Sequence, residues 1–338
     1  SASPCRMPGV RHHTAWDPPH GLTRWGDGCS FVFLDIGSNM GVSVRKLFEP
    51  EAYPQYTSAE YEYDFGWLLD LLYRKNRSKT HHDTSFPGSY TATFDRVFEP
   101  AETRRRSNFQ GYCAFGFEPN PYHTSRLRAI EECYTSRGWR IKFFTETAVA
   151  DVDGEVWLRS SKRAVGLHNI AASTVQTKLD TADEEADANF TRAEGVDLAR
   201  WLRFHVSQRR VPLGRSAVYA KLDVEGAEFQ VLPRMLMMGL LCNKTIAELT
   251  LEWHPTMWAN KDNERLALAT SFKEHLSEFA GMDARNCVPT RIRDAEDESY
   301  MHDTTRPNLC SIGQGWPHTR HSPPPSAPRA PPPRHKAM

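Results

Sequence analysis

Three short apolar runs, each interrupted or ended by an acidic residue, constrain the fold of this chain more than any other feature. They are FVFLDI (31–36), YCAFGFE (112–118) and VYAKLDV (218–224). Nearly continuous apolar runs of this length are typical of parallel strands whose two faces are both covered by helices. Helix-like segments lie between the runs, which favours βαβ units and a largely parallel sheet.

Other segments extend this alternation. Residues 121–137 have the apolar spacing of a helix that begins after Pro121, and Gly138 is a plausible stop signal. Two strand-like segments, 142–150 and 155–160, flank a turn signal at Asp153-Gly154. We expect further helices over 196–206, over 227–232 and after Lys261, and a strand over 246–253.

The two ends and one internal region depart from the pattern. Residues 316–338 are rich in proline and predict a disordered or polyproline II tail, and residues 1–27 predict an irregular arm. We expect residues 28–315 to form one α/β domain, with an insertion at about 50–110 that includes a helix-like stretch over 64–75.

Composition excludes several classes of protein. The 42 basic and 42 acidic residues balance, so there is no electrostatic footprint for nucleic acid. No apolar run reaches 18 residues, so we expect no membrane span in the chain as given. The compartment stays open between the cytoplasm and a secretory pathway from which an N-terminal anchor was removed, and the oligomeric state leaves no readable mark.

Cysteines and sequons add little from the sequence alone. Seven scattered cysteines without a C-x-x-C pair argue against paired-cysteine zinc sites and against a small disulfide scaffold. Three N-glycosylation sequons, at Asn76, Asn189 and Asn243, are close to the number that chance produces.

The turn after the first apolar run is the first candidate site. Its pattern is D-x-G-x-N-x-G from Asp35 to Gly41, where glycines allow close approach of a ligand to the backbone and a helix N-terminus follows. The pattern is neither the G-x-G-x-x-G of dinucleotide-binding folds nor a P-loop. An ordinary strand-to-helix turn is the alternative.

Acidic residues at two later strand ends are the next candidates. Glu118 follows the second run, where a carboxylate commonly binds ribose hydroxyls, but a Glu before a Pro also serves to start a helix. Asp223, Glu225 and Glu228 follow the third run. The last two could simply favour a helix N-terminus, whereas Asp223 comes too early for that role.

Together these segments resemble the FkbM family of S-adenosylmethionine-dependent methyltransferases. The resemblance covers roughly 30–312, apart from the insertion, and rests on FLDIGSNMG (33–41), FGFEPNP (115–121), TAVADVDGEVWL (147–158), VDLARWL (196–202), KLDVEGAEFQVLP (221–233) and LEWHP (251–255). It implies a class I methyltransferase fold, which is an α/β Rossmann-like sheet flanked by helices. It also implies S-adenosylmethionine as donor and a hydroxyl of a carbohydrate, glycoconjugate or similar small molecule as acceptor.

The resemblance also implies roles for individual residues. The glycine loop would contact the methionine part of the donor, Glu118 the ribose, and the residues after the third strand the adenine. Asp223 and Glu225 would face the reacting centre. The loop residues are Asp35, Gly37, Ser38, Asn39 and Gly41, and the adenine residues are Ala150 and Asp151.

Methyl transfer to an alcohol benefits from a base, and Asp223, Glu225 and His254 are the candidates. Carboxylates of the 223–228 segment could instead hold a divalent cation, but the sequence has no separate ligand cluster, so we predict no metal site. Two other hypotheses stay open. One is a nicotinamide-dependent oxidoreductase, and the other is a binding module that keeps this fold without its chemistry.

Overall fold

The fold is described from a computed structural model. It describes residue 18 and residues 21–52, 90–161, 188–259, 262–282 and 287–294. Of the expected arm over 1–27, only residue 18 and residues 21–27 are described, while the helix-like stretch 64–75 and the Pro-rich tail 316–338 lie outside these residues.

The central feature is a sheet of six strands, all parallel to their neighbours, in the spatial order β3-β2-β1-β7-β8-β9. This confirms the predicted α/β class. The order is that of a doubly wound fold and is compatible with a Rossmann-like architecture. The strands are β1 Phe31–Ile36, β2 Tyr112–Glu118, β3 Arg140–Thr145, β7 Ala217–Leu222, β8 Glu248–Leu251 and β9 Arg291–Asp294.

Helices cover both faces of this sheet. In chain order they are α1 Val42–Phe48, α2 Tyr90–Val97, α3 Ala101–Arg106, α4 Thr124–Ser136, α5 Leu198–Leu202, α6 Glu228–Met237, α7 Pro255–Ala259 and α8 Asn263–Met282, with 3-10 turns at Pro50–Ala52 and Pro121–His123 and a π-helical turn at Arg203–Ser207. The helices predicted over 121–137, over 227–232 and after Lys261 are confirmed. The helix predicted over 196–206 begins at Leu198, because the preceding residues end a strand, and its second half is the π-helical turn. None of the described helices combines the length and the apolar character needed to cross a bilayer.

A second, three-stranded sheet contains β4 Thr147–Ala150, β5 Gly154–Ser161 and β6 Ala188–Asp197, in the order β4-β6-β5. The single strand predicted over 142–150 is therefore wrong. Glu146 has a φ of 57°, and this left-handed residue ends β3 and redirects the chain into β4. The turn at Asp153-Gly154 leads into β5, but β4 and β5 both pair with β6 rather than with each other.

Aromatic side chains fill the core on each face of the central sheet. One face packs Trp25, Phe117 and Trp201 together, and the other packs Phe33, Phe94 and Tyr219. Burial on both faces explains why β1, β2 and β7 have nearly continuous apolar sequences. Phe94, Phe98 and Phe109 come from the region predicted as an insertion, so its last twenty residues belong to this core.

Disulfides join segments that are distant in sequence. Cys29, just before β1, is bonded to Cys113 of β2, and Cys242 is bonded to Cys287. Cys133 is disulfide-bonded as well, so every cysteine in the described residues is oxidised. None of these disulfides is predicted from the sequence, because the pairing of cysteines depends on which strands become neighbours.

The turns after β1 and β7 touch at Gly37. This residue has a φ of 85°, and a Cβ built on it would fall onto the carbonyl oxygen of Asp223. Asp223 N–H in turn donates to the Ile36 carbonyl at 2.9 Å. Only glycine satisfies both the left-handed conformation and the close approach of the two backbones.

We expect Gly37→Ala to lower the free energy of unfolding by about 3 kcal/mol or more, because the turns of β1 and β7 must separate. Gly138→Ala is the matched control, since Gly138 has a φ of 82° but a Cβ there meets nothing within 4 Å. That control isolates the conformational cost of about 1 kcal/mol. Urea unfolding followed by circular dichroism measures both, and equal losses would contradict the contact between the turns.

Candidate functional site

A cleft opens at the carboxyl ends of the central strands, between the turns that follow β1, β2 and β7. It encloses about 520 Å³ of space including its open mouth. The strand order reverses between β1 and β7, because later strands are added on the other side of β1, and ligands of doubly wound folds bind at this switch point. The lining residues are Gly37, Asn39, Phe117, Glu118, Pro119, Thr147, Ala148, Val149, Asp223, Val224 and Glu225.

Two residues of the predicted glycine loop, Gly37 and Asn39, line this cleft. The N–H groups of Gly37 and Ser38 donate to the Phe117 carbonyl at 3.1 and 2.9 Å, which fixes the loop against the end of β2. Asn39 has a φ of 50°, and its side-chain Oδ1 is buried with no hydrogen-bond partner among the described residues. That oxygen is available to accept a hydrogen bond from a ligand.

The other three loop residues have internal positions. Asp35 is fully buried within β1, and Ser38 Oγ donates to the Asp35 carbonyl at 2.7 Å. Gly41 has a φ of 77° and is packed so closely that a Cβ would crowd Leu127, a core residue of α4. None of the three lines the cleft, so their contribution is to the shape of the turn.

Glu118 ends β2 and connects the two walls of the cleft. Its Oε2 accepts the N–H of Asn39 at 2.6 Å and its Oε1 accepts the N–H of Asn120 at 2.8 Å. Only 6% of Glu118 is exposed. Burial raises the pKa of Glu118 to about 8, although the two N–H groups and Lys221 oppose this rise.

The residues predicted to lie near adenine are displaced from the cleft. Ala150 and Asp151 come at and after the end of β4 and do not line it. The wall is formed by the preceding residues Thr147, Ala148 and Val149. β4 therefore reaches the cleft at its beginning and not at its end, where Ala150 and Asp151 lie.

An acidic cluster lies at the ends of β7 and β8. Asp223 and Glu225 line the cleft, and Glu225 has a φ of 53° that turns the chain before α6. The Nε2 atom of His254 lies 3.9 Å from Asp223, 3.5 Å from Glu225 and 3.6 Å from Glu252. On the other side of the ring, Nδ1 lies 2.8 Å from Oε1 of Glu228, a fully buried residue.

The crowding of these charges shifts their pKa values. Burial and neighbouring carboxylates raise the pKa of Glu225 and of Glu252 to about 7, against the opposing effect of His254. Burial lowers the pKa of His254, but the hydrogen bond to Glu228 and the nearby carboxylate of Glu252 outweigh burial and raise it to about 11. Lys221 Nζ, 3.0 Å from Asp223 Oδ2, adds one positive charge.

Lys221 and Glu252 are not among the site residues predicted from the sequence, and Glu228 is considered there only as a helix-start residue or as part of the alternative cation-binding segment. Lys221 also donates to the Gly37 carbonyl at 3.2 Å, so it links the turns of β1 and β7. Glu252 follows β8 directly, as Asp223 follows β7. The rule that selects acids at the carboxyl ends of parallel strands would therefore have found Glu252 if applied to the strand predicted over 246–253.

Comparison of the chain with family models, curated proteins and solved structures gives no match. The FkbM resemblance therefore stays a prediction, and the case for a function rests on the cleft and the acidic cluster.

The raised pKa of Glu118 predicts a pH effect on stability. Between pH 4.5 and about 8 the folded chain holds a proton that the unfolded chain has released, so this residue's contribution to stability falls as pH rises through that window. Glu118→Gln removes the contribution. We therefore expect the free energy of unfolding of the variant, relative to that of wild type, to rise by about 2–4 kcal/mol from pH 5 to pH 8.

Urea unfolding of both proteins at pH 5, 6, 7 and 8 measures this difference, and the other titrating groups cancel because both proteins contain them. A difference that does not change with pH would show that Glu118 ionises in its ordinary range.

Proposed function

We propose that this chain is an S-adenosylmethionine-dependent O-methyltransferase of the class I type that acts on a hydroxyl of a carbohydrate, glycoconjugate or similar small molecule. The parallel sheet, the cleft at its switch point and the motif resemblance all support this reading. The charge of the cleft is the observation that carries it furthest.

Three carboxylates, Glu118, Asp223 and Glu225, line the cleft, and its described lining contains no lysine, arginine or histidine. Such a lining offers no positive charge to a phosphate group, whereas each of its carboxyl groups attracts a cation when it is ionised. S-adenosylmethionine carries a sulfonium, whereas a nicotinamide dinucleotide carries a pyrophosphate. The charge therefore favours the sulfonium donor, although the strand order also occurs in dinucleotide-binding folds.

Each part of the cleft supplies groups suited to one part of the donor. Glu118 and Asn39 Oδ1 are acceptors for ribose hydroxyls, and Ala148 and Val149 offer an apolar wall for adenine. Bound S-adenosylmethionine would supply a methyl group whose carbon bonds to the acceptor oxygen as the carbon–sulfur bond breaks and its electron pair stays on sulfur.

The hydroxyl proton must go to a base on the protein. Glu225 has the geometry for this role, because it lines the cleft and its Oε2 is buried with no hydrogen-bond partner among the described residues. Asp223 is held by Lys221, and His254 contacts both carboxylates without lining the cleft itself. We therefore assign proton removal to Glu225 and a positioning role to His254.

Calorimetric titration tests the donor site. S-adenosylmethionine and S-adenosylhomocysteine should bind wild type at micromolar affinity, and Glu118→Ala should lose about 1.5–3 kcal/mol, roughly 10- to 150-fold in Kd. Glu132→Ala removes an exposed carboxylate of α4 and serves as the matched control, with unchanged affinity expected. Circular dichroism verifies that each variant is folded.

Failure of both sulfur ligands to bind folded wild type would overturn the proposal. Binding of NAD instead would favour the oxidoreductase hypothesis. Donor binding without methyl transfer to any hydroxylated acceptor would favour the non-catalytic binding module.

A further inference from the structure

We propose that Asp223, Glu252 and His254 bind one divalent cation beside the cleft. Each of the three offers one ligand atom, and these atoms all lie within 4.8 Å of one another. They come from the carboxyl ends of the adjacent strands β7 and β8, so the sheet itself holds them together. The site adjoins the donor cleft, since Asp223 belongs to both, and its role in methyl transfer rests on the function proposed above.

The distances around His254 are those of ligands that share an ion. Its Nε2 lies 3.5–3.9 Å from oxygens of Asp223, Glu225 and Glu252, beyond the usual hydrogen-bond range. Two ligands that each lie about 2.1 Å from a common ion are roughly 3.0–3.5 Å apart. The distances to Nε2 exceed those of a coordination sphere by at most a few tenths of an ångström, and an ion would draw the carboxylate oxygens closer.

The histidine ring is held from behind in the orientation that metal binding needs. Glu228 is fully buried, and its Oε1 lies 2.8 Å from Nδ1 of His254. An ion that binds here displaces the proton from Nε2, while Nδ1 keeps its proton and its contact with Glu228, so the freed Nε2 lone pair is directed at the carboxylates. A buried carboxylate that orients a ligating histidine through its second nitrogen is the usual outer shell of a metal site.

A buried oxygen in the cluster also lacks a partner. Glu225 Oε2 is out of contact with solvent, has no hydrogen-bond partner among the described residues and lies 3.5 Å from Nε2 of His254. An unsatisfied buried carboxylate oxygen is costly, and a cation would satisfy it. Glu225 is thus placed to be a fourth ligand or to bind a metal-bound hydroxyl.

The donor set indicates the kind of ion. One imidazole with two or three carboxylate oxygens and no thiolate suits Mn²⁺ or a similar divalent ion rather than a soft metal. Beside the cleft, this ion would bind the acceptor hydroxyl and lower its pKa, so that the proton leaves more readily.

Full-length protein stripped with a chelator provides the test, with free Mn²⁺ measured by its electron paramagnetic resonance signal. We expect one Mn²⁺ per chain at micromolar Kd and a higher Tm with Mn²⁺ present, because the ion binds only the folded state. Asp223→Asn and His254→Asn should weaken binding at least 30-fold, and Glu228→Gln 10- to 100-fold. Glu264→Gln, which changes an exposed acid of α8, should bind like wild type.

Two results would overturn the cation site. One is folded wild type that binds none of Mn²⁺, Mg²⁺ and Zn²⁺ at millimolar concentration, and the other is equal binding by wild type and the cluster variants. If Asp223→Asn or His254→Asn does not fold, two measurements still test the cation site. One is the Tm shift of wild type with Mn²⁺, and the other is Mn²⁺ binding by Glu252→Gln, which changes a half-buried residue.

Titration of S-adenosylhomocysteine with and without Mn²⁺ separates this inference from the function it serves. Donor binding without cation binding removes only the cation site. Cation binding without donor binding keeps the site and contradicts the methyltransferase.

A different observation, the oxidation of the cysteines, leads to a second inference. Every cysteine that the structure describes is in a disulfide, and Cys29 and Cys113 are fully buried. Structural disulfides of this kind form and persist in oxidising compartments. The chain therefore folds in the secretory pathway rather than the cytoplasm.

That compartment makes one sequon usable. Asn243 is exposed beside the Cys242–Cys287 disulfide, whereas Thr245 of the same sequon is buried and its N–H donates to the Cys242 carbonyl. An exposed asparagine in a turn accepts a glycan without disturbing the core. We assign Asn243 as an N-glycosylation site.

Site-resolved mass spectrometry of the full chain, produced through a eukaryotic secretory pathway, tests this assignment. The Asn243 peptide should carry a glycan that peptide-N-glycosidase removes, with the two disulfides intact. Asn243→Gln should lose the modification, and Thr245→Ser should keep it because serine preserves the sequon. An unmodified Asn243 peptide would overturn the glycan site, and free thiols at Cys29 and Cys113 would overturn the compartment.

Discussion

The structure depends on the position of β1 between β2 and β7. Backbone hydrogen bonds from Gly37 and Ser38 to Phe117, and from Asp223 to Ile36, continue this pairing past the ends of the strands. Three turns are thereby held at fixed separations, and the cleft is the space between them. Because glycine at position 37 allows the turns of β1 and β7 to touch, the donor side and the acidic side of the site share one rigid frame.

Charge is concentrated where this frame is most rigid. Asp223, Glu225, Glu228 and Glu252 surround His254, and Lys221 contributes a further positive charge through its contact with Asp223. The chain has zero net charge, yet these four carboxyl groups are concentrated at the carboxyl ends of β7 and β8. Such a cluster opposes folding unless cations compensate it, so its presence at the cleft is better explained by ligand chemistry than by stability.

The sequence predicts the central sheet because burial on both faces leaves a direct signal in β1, β2 and β7. The same logic brings Gly37, Asn39, Glu118, Asp223 and Glu225 to the cleft. The break at Glu146 is not visible in the sequence, since one left-handed residue divides an otherwise strand-like segment between two sheets. The disulfides and the partners of His254 are also hidden, because they depend on which distant strands become neighbours.

The pairing of β1 with β7 also affects how the chain folds during its synthesis. Phe31 pairs with Ala217, so during synthesis from the N-terminus the first strand waits for nearly two hundred residues before its second neighbour exists. Until then one edge of β1 presents unpaired backbone groups, which invite pairing with other chains. The Cys29–Cys113 bond can form during this interval and hold β1 against β2. A nascent chain stalled between those two events would be the species most in need of a chaperone.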